Sequence, residues 1–78
     1  MNFNRISINP KVMMGKPCIK GTRITVDFIL DQFAGGATFE YLLNGYNHIT
    51  REDIQEALHY ASAVLSNQDV EEVYENNS

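Results

Sequence analysis

The stretch GKPCIKGTRIT, residues 15 to 25, gathers two glycines, two lysines and an arginine into eleven residues. Such a composition suits a phosphate-binding loop, a nucleic-acid arm or a turn between strands. A Walker A loop requires G-x-x-x-x-G-K-[ST], with lysine and hydroxyl directly after the second glycine. Here Gly21 is followed by Thr22-Arg23, and the G-x-G-x-x-G spacing of a dinucleotide site is absent as well. The glycines are therefore read as turn formers around Pro17. Cys18, His48 and His59 could on paper supply a nucleophile and a base, but no feature of the sequence places them together. The acid pairs Glu52-Asp53 and Glu71-Glu72 are consecutive, so they do not face each other on a helix. No Cys and His set has metal-ligand spacing. The expectation is a protein that is not an enzyme and carries no metal or cofactor.

A different chemistry is suggested by Arg51, Gln55 and His59. At i, i+4 and i+8 they form one row opposite an apolar stripe, offering donors and acceptors to base edges. Glu52 and Glu56 border that row and repel phosphate. Lys11, Lys16, Lys20 and Arg23 in the N-terminal part could supply the missing phosphate contacts, doubled in a two-fold homodimer. Operator DNA is thus one candidate partner; a trihelical protein-interaction module without DNA contact is the other reading of the same pattern.

The elements that must hold these groups are legible in outline. NRISI, residues 4 to 8, alternates with period 2 as a half-buried strand does, placing Ile6 and Ile8 on one side, and Asn9-Pro10 breaks it. A second short strand is predicted at Thr22 to Ile24. Thr25 is a candidate N-cap with Asp27 near the positive end of the dipole. Val26, Ile29, Leu30 and Phe33 then form an apolar stripe that Gly35-Gly36 ends. Thr38 opens a shorter helix, with Phe39, Leu42 and Leu43 inward and Asn44-Gly45 closing it. Thr50 and Asp53 resemble a capping box, and Ile54, Ala57, Leu58, Ala61, Val64 and Leu65 continue as the stripe of the longest helix. A short helix, a turn containing Gly45 and a longer helix are what a helix-turn-helix requires, with the first helix completing the core. The predicted fold is mainly α: a three-helix, helix-turn-helix core with a short N-terminal β ribbon.

With 78 residues there is room for one hydrophobic core. Residues 1–66 are read as a single domain, with the ribbon in 1–25. Residues 67–78, NQDVEEVYENNS, form an acidic tail that is either a frayed end or a segment docking on a partner through Val70, Val73 and Tyr74. The net charge of -4 conceals an asymmetry: five Lys or Arg and no acid in residues 1 to 26, then ten acids against Arg51 alone. Either the halves neutralise each other, or a basic surface awaits phosphate or an acidic partner. The lone Cys18 excludes an internal disulfide framework. No signal-peptide pattern opens the sequence and no apolar run suits a membrane span, so a cytoplasmic protein is expected.

From about residue 5 to residue 65 the chain resembles the family called domain of unknown function 433. Its pattern is roughly G-x-P-x-I-x-G-T-R-I, a helix, a Gly-rich turn, a short helix, a Tyr-Pro-x-Leu-Thr turn and a closing D-I-x-x-A-L-x-Y-A helix. Gly15, Pro17, Ile19, Gly21, Thr22, Arg23, Ile24, Thr50, Asp53, Ile54, Ala57, Leu58, Tyr60 and Ala61 fall in register, while Asn47-His48 replaces the usual Pro-x. The resemblance implies a homeodomain-like or winged-helix-like domain, as in antitoxins of type II toxin-antitoxin pairs. The implied partner is a PIN-like ribonuclease toxin, which the protein silences while repressing its own operon. Alternatives are a stand-alone DNA-binding regulator and a protein-binding adaptor without a toxin.

Overall fold

The computed structural model of the chain describes residues 3–67. Two short strands, β1 (Ile6–Ser7) and β2 (Cys18–Ile19), precede three helices: α1 (Val26–Ala34), α2 (Phe39–Gly45) and α3 (Arg51–Asn67). The strands pair antiparallel, Ile6 opposite Ile19 and Ser7 opposite Cys18. The mainly helical core with an N-terminal ribbon is thus present.

The helix starts follow the capping chemistry. Thr25 Oγ1 accepts from Phe28 N–H, and Thr38 Oγ1 accepts from Tyr41 N–H, each at 3.1 Å. At α3 the box is reciprocal: Asp53 N–H donates to Thr50 Oγ1 (3.1 Å) and Thr50 N–H donates to Asp53 Oδ2 (2.9 Å). An aspartate thus does here what glutamate or glutamine usually does, satisfying two helix-end groups that would otherwise be orphaned. Helix α1 stops at Ala34, and the chain reverses through Gly36 at φ +97°, a left-handed backbone that a side chain would strain.

Ile19, Val26, Ile29, Leu42, Ile49, Ile54, Ala57 and Ala61 make the core, so every helix and β2 contributes. Burying an isoleucine or leucine contributes about 1.5–3 kcal/mol, which makes this small set the main source of stability. Edge-to-face ring pairs support its margins, Phe28 with Tyr46 and Phe33 with Phe39.

Three expectations are corrected. The second strand lies at Cys18–Ile19, and Thr22–Ile24 is instead the arm that turns back from it. Chain alternation misleads there because Cys18 and Ile19 are both buried, β2 being covered on two sides. Ile8 lies beyond the end of β1 and is exposed, whereas Ile6 packs on the core. In the apolar stripes, Leu30, Val64 and Leu65 are exposed rather than inward. Val70, Val73 and Tyr74 lie outside the described residues. Among the described residues no helix is long and apolar enough to cross a membrane.

Candidate nucleic-acid interface

Residues 15–25 form a compact reversal tied at each level by the backbone. Val26 N–H donates to Pro17 O (2.9 Å), Ile19 N–H to Ile24 O (2.9 Å) and Thr22 N–H to Ile19 O (3.0 Å). The Thr22 hydroxyl closes the turn from inside, donating to Ile19 O (2.7 Å) and accepting from Ile24 N–H (2.9 Å). Gly21 sits at φ +79°, which the turn needs and other residues adopt with strain. These bonds close the turn from within, and the charged side chains of Lys20 and Arg23 are left exposed.

Beside this turn is an open cleft of about 420 Å³ lined by Ser7, Asn9, Val12, Gly21, Thr22 and Arg23. It contains hydroxyls, an amide and a guanidinium, and no carboxylate. Asn9 Oδ1 accepts from Lys11 N–H (2.9 Å), holding the loop that carries exposed Lys11. Among the described residues, Lys11, Lys20 and Arg23 form no ion pair.

The remaining cations are engaged. Lys16 Nζ meets Asp27 Oδ2 at 3.1 Å and lies at a different groove, so it is separated from the cleft. Hydrogen bonds from Thr25 and then Lys16 hold the Asp27 carboxyl below its ordinary pKa. Arg5 was not singled out by the sequence, yet it clamps the ribbon to α3. Its Nη1 meets Asp53 Oδ1 at 3.1 Å, and its main-chain N–H donates to Glu56 Oε2 at 2.6 Å. Partial burial, the largest influence on Asp53, raises its pKa; the Thr50 and Arg5 hydrogen bonds together outweigh it and hold the carboxyl low. No local pattern could reveal this clamp, since 48 residues separate Arg5 from Asp53.

On α3 the row Arg51, Gln55 and His59 is exposed along one face. Arg51 is held rather than free: its Nη2 donates to Glu40 Oε2 (3.2 Å) and its guanidinium lies 4.5 Å from the centre of the Phe39 ring. An exposed ion pair contributes little, about 0–1 kcal/mol, so Arg51 can exchange Glu40 for another acceptor at small cost. Glu56 is drawn into the Arg5 clamp, which reduces the acidic border of the row to Glu52.

Cys18, His48 and His59 are not brought into a catalytic group. Cys18 is buried, its S–H donating to Lys16 O at 3.4 Å. Burial, and to a lesser degree the Asp27 charge, push its pKa up, so it is a protonated thiol at neutral pH. His48 is exposed in the turn before α3. Among the described residues no three of His, Cys, Asp and Glu come together as a metal-holding group.

The fold recurs in a solved protein. The crystal structure of a DUF433 member protein from Anabaena variabilis ATCC 29413, at 2.00 Å resolution, is similar with a TM-score of 0.77 and 35% sequence identity. The similarity covers 81% of this chain and 62% of that one, so this chain spans under two thirds of that protein's length. None of the curated proteins matches the chain. Residues 6–61 match the family model described as "Protein of unknown function (DUF433)", and the chain belongs to this family.

Proposed function

We propose that the protein is a non-enzymatic, cytoplasmic antitoxin and transcriptional repressor. It binds operator DNA and neutralises a PIN-like ribonuclease toxin. The family resemblance supplies the toxin-antitoxin part of this reading. The observation that carries the DNA part is the segregation of the cations. Arg5, Lys16 and Arg51 each have a carboxylate partner, whereas among the described residues Lys11, Lys20 and Arg23 have none, and Arg23 lines a carboxylate-free cleft. In a chain of net charge -4, exposed cations without an ion-pair partner among the described residues, all in the N-terminal segment before α1, favour a phosphate backbone over a diffuse acidic surface. Gln55 and His59, with Arg51 after release from Glu40, then face base edges while the ribbon sets register.

The test is purification of the chain from its native locus with mass spectrometry of what accompanies it, followed by titration with the DNA upstream of its gene. A small nuclease in stoichiometric amount and a DNA complex are expected. Replacing Lys20 and Arg23 by alanine weakens binding to all sequences alike and reduces the salt slope by about two. Unchanged DNA affinity in that double variant removes the ribbon from the interface.

The protein-binding adaptor is the second reading, favoured by the Glu40 and Phe39 contacts that occupy Arg51. Under it, Arg51→Ala and Gln55→Ala leave DNA affinity unchanged, while under the repressor reading each weakens operator binding by about 1–3 kcal/mol.

A further inference from the structure

The ends of α1 and α3 leave an apolar groove of about 260 Å³ that the proposed DNA contacts do not use. Pro17, Leu30, Tyr60, Val64 and Leu65 line it, with Lys16 and Asp27 also present. Leu30 is 38% exposed, Val64 36% and Leu65 63%. These three belong to the same stripes that build the core, so the apolar faces of both helices extend to side chains that the fold leaves partly uncovered.

We propose that this groove is the face through which two copies of the chain associate. The first support is its charge. Lys16 and Asp27 lie together among the lining residues and are well exposed, at 53% and 60%. A two-fold interface brings the same patch onto itself, so each residue of one copy meets its complement on the other. A patch holding one cation and one anion is self-complementary under that operation: Lys16 and Asp27, paired within each copy at 3.1 Å, can exchange partners so that Lys16 of each copy takes Asp27 of the other. A patch of one sign would repel itself. The second support is the small core, which has nine buried hydrophobic residues among those described; domains of this size commonly gain stability by self-association. The groove and the basic cleft share no lining residue, so pairing through the groove leaves the cleft open in both copies. The proposal is independent of what the cleft binds.

Sedimentation velocity on the full chain, without DNA, tests it. A concentration-dependent dimer is expected. Leu65→Glu places a charge in the groove at an exposed position and raises the dimer dissociation constant by at least about 30-fold, with the helical circular dichroism signal retained. Lys16→Glu and Asp27→Lys each set like charges against each other in a homodimer, and each weakens it. Mixed one to one, these two variants associate again, because every cross-copy pair is then opposite in sign. That rescue distinguishes reciprocal pairing from a loss of fold. Three results overturn the proposal: a monomer at every concentration, a dimer indifferent to Leu65→Glu, or charge variants that do not associate on mixing. A fourth is self-association that appears only when the chain is truncated after Asn67, which assigns the groove to residues 68–78 of the same chain.

Discussion

The two halves of α3 carry one continuous apolar pattern and do different work. In the first half, Ile54 and Ala57 are buried, the Thr50–Asp53 box closes the helix end, and Arg5 reaches across from the ribbon to Asp53 and Glu56. In the last turns, Val64 and Leu65 face outward beside Leu30 of α1. The difference follows from the length of the neighbours. Helix α1 has nine residues and α2 has seven, against seventeen in α3; at 1.5 Å per residue the long helix outruns both. Amphipathicity beyond the reach of the core is surface, and it is available to something other than folding.

The sharpest way to break this comparison is a charge in the first half. Ile54→Asp buries an unpaired carboxylate at a fully enclosed position, and the variant is expected to be unfolded by circular dichroism at 25 °C. Ile54→Ala, which only leaves a cavity, costs about 2–5 kcal/mol in denaturant unfolding. A loss below 1 kcal/mol would show that the first half is no more committed to the core than the second.

Asp53→Ala comes next, since it removes the box and the Arg5 contact together. A cap is worth about 1 kcal/mol, and the expected loss is about 1–3 kcal/mol with the ribbon contact included. The pH dependence has a definite sign. Asp53 and Asp27 have folded-state pKa values below their ordinary ones, so the unfolded chain binds more protons in acid. Their contribution is complete above the unfolded carboxylate pKa of about 3.9 and is lost as pH falls through the lower folded values. The melting temperature of Asp53→Ala should therefore fall less steeply than that of the parent chain below about pH 4.

The smallest effect is expected at the far end. Leu65→Ser removes a side chain already mostly in water, and its unfolding free energy, measured on the monomer in dilute solution, should lie within about 0.5 kcal/mol of the parent. A larger loss would place Leu65 inside the folding core after all.

The local signals that proved readable were those whose physics is local. Thr25, Thr38, Thr50 and Asp53 cap because a hydroxyl or carboxylate three residues from an unsatisfied N–H has one obvious partner. The β2 position escaped because a two-residue strand buried on both faces shows no alternation. The candidate interface was half legible. Lys11, Lys20 and Arg23 were recognisable as cations; their lack of an ion pair among the described residues was not, and neither was the diversion of Lys16 to Asp27 or of Arg51 to Glu40.

The sequence by itself determined the three helices, their caps, the outward row of α3 and the family, because periodicity, capping and motif register act over a few residues at a time. Only the tertiary structure decided which of the apolar stripes is covered and which cations are neutralised. Both depend on side chains brought together from distant parts of the chain: Arg5 meets Asp53 across 48 residues, and Leu30 lies beside Val64 and Leu65 because α1 packs on α3. Burial and charge pairing are properties of neighbours in space, which no spacing along the chain specifies.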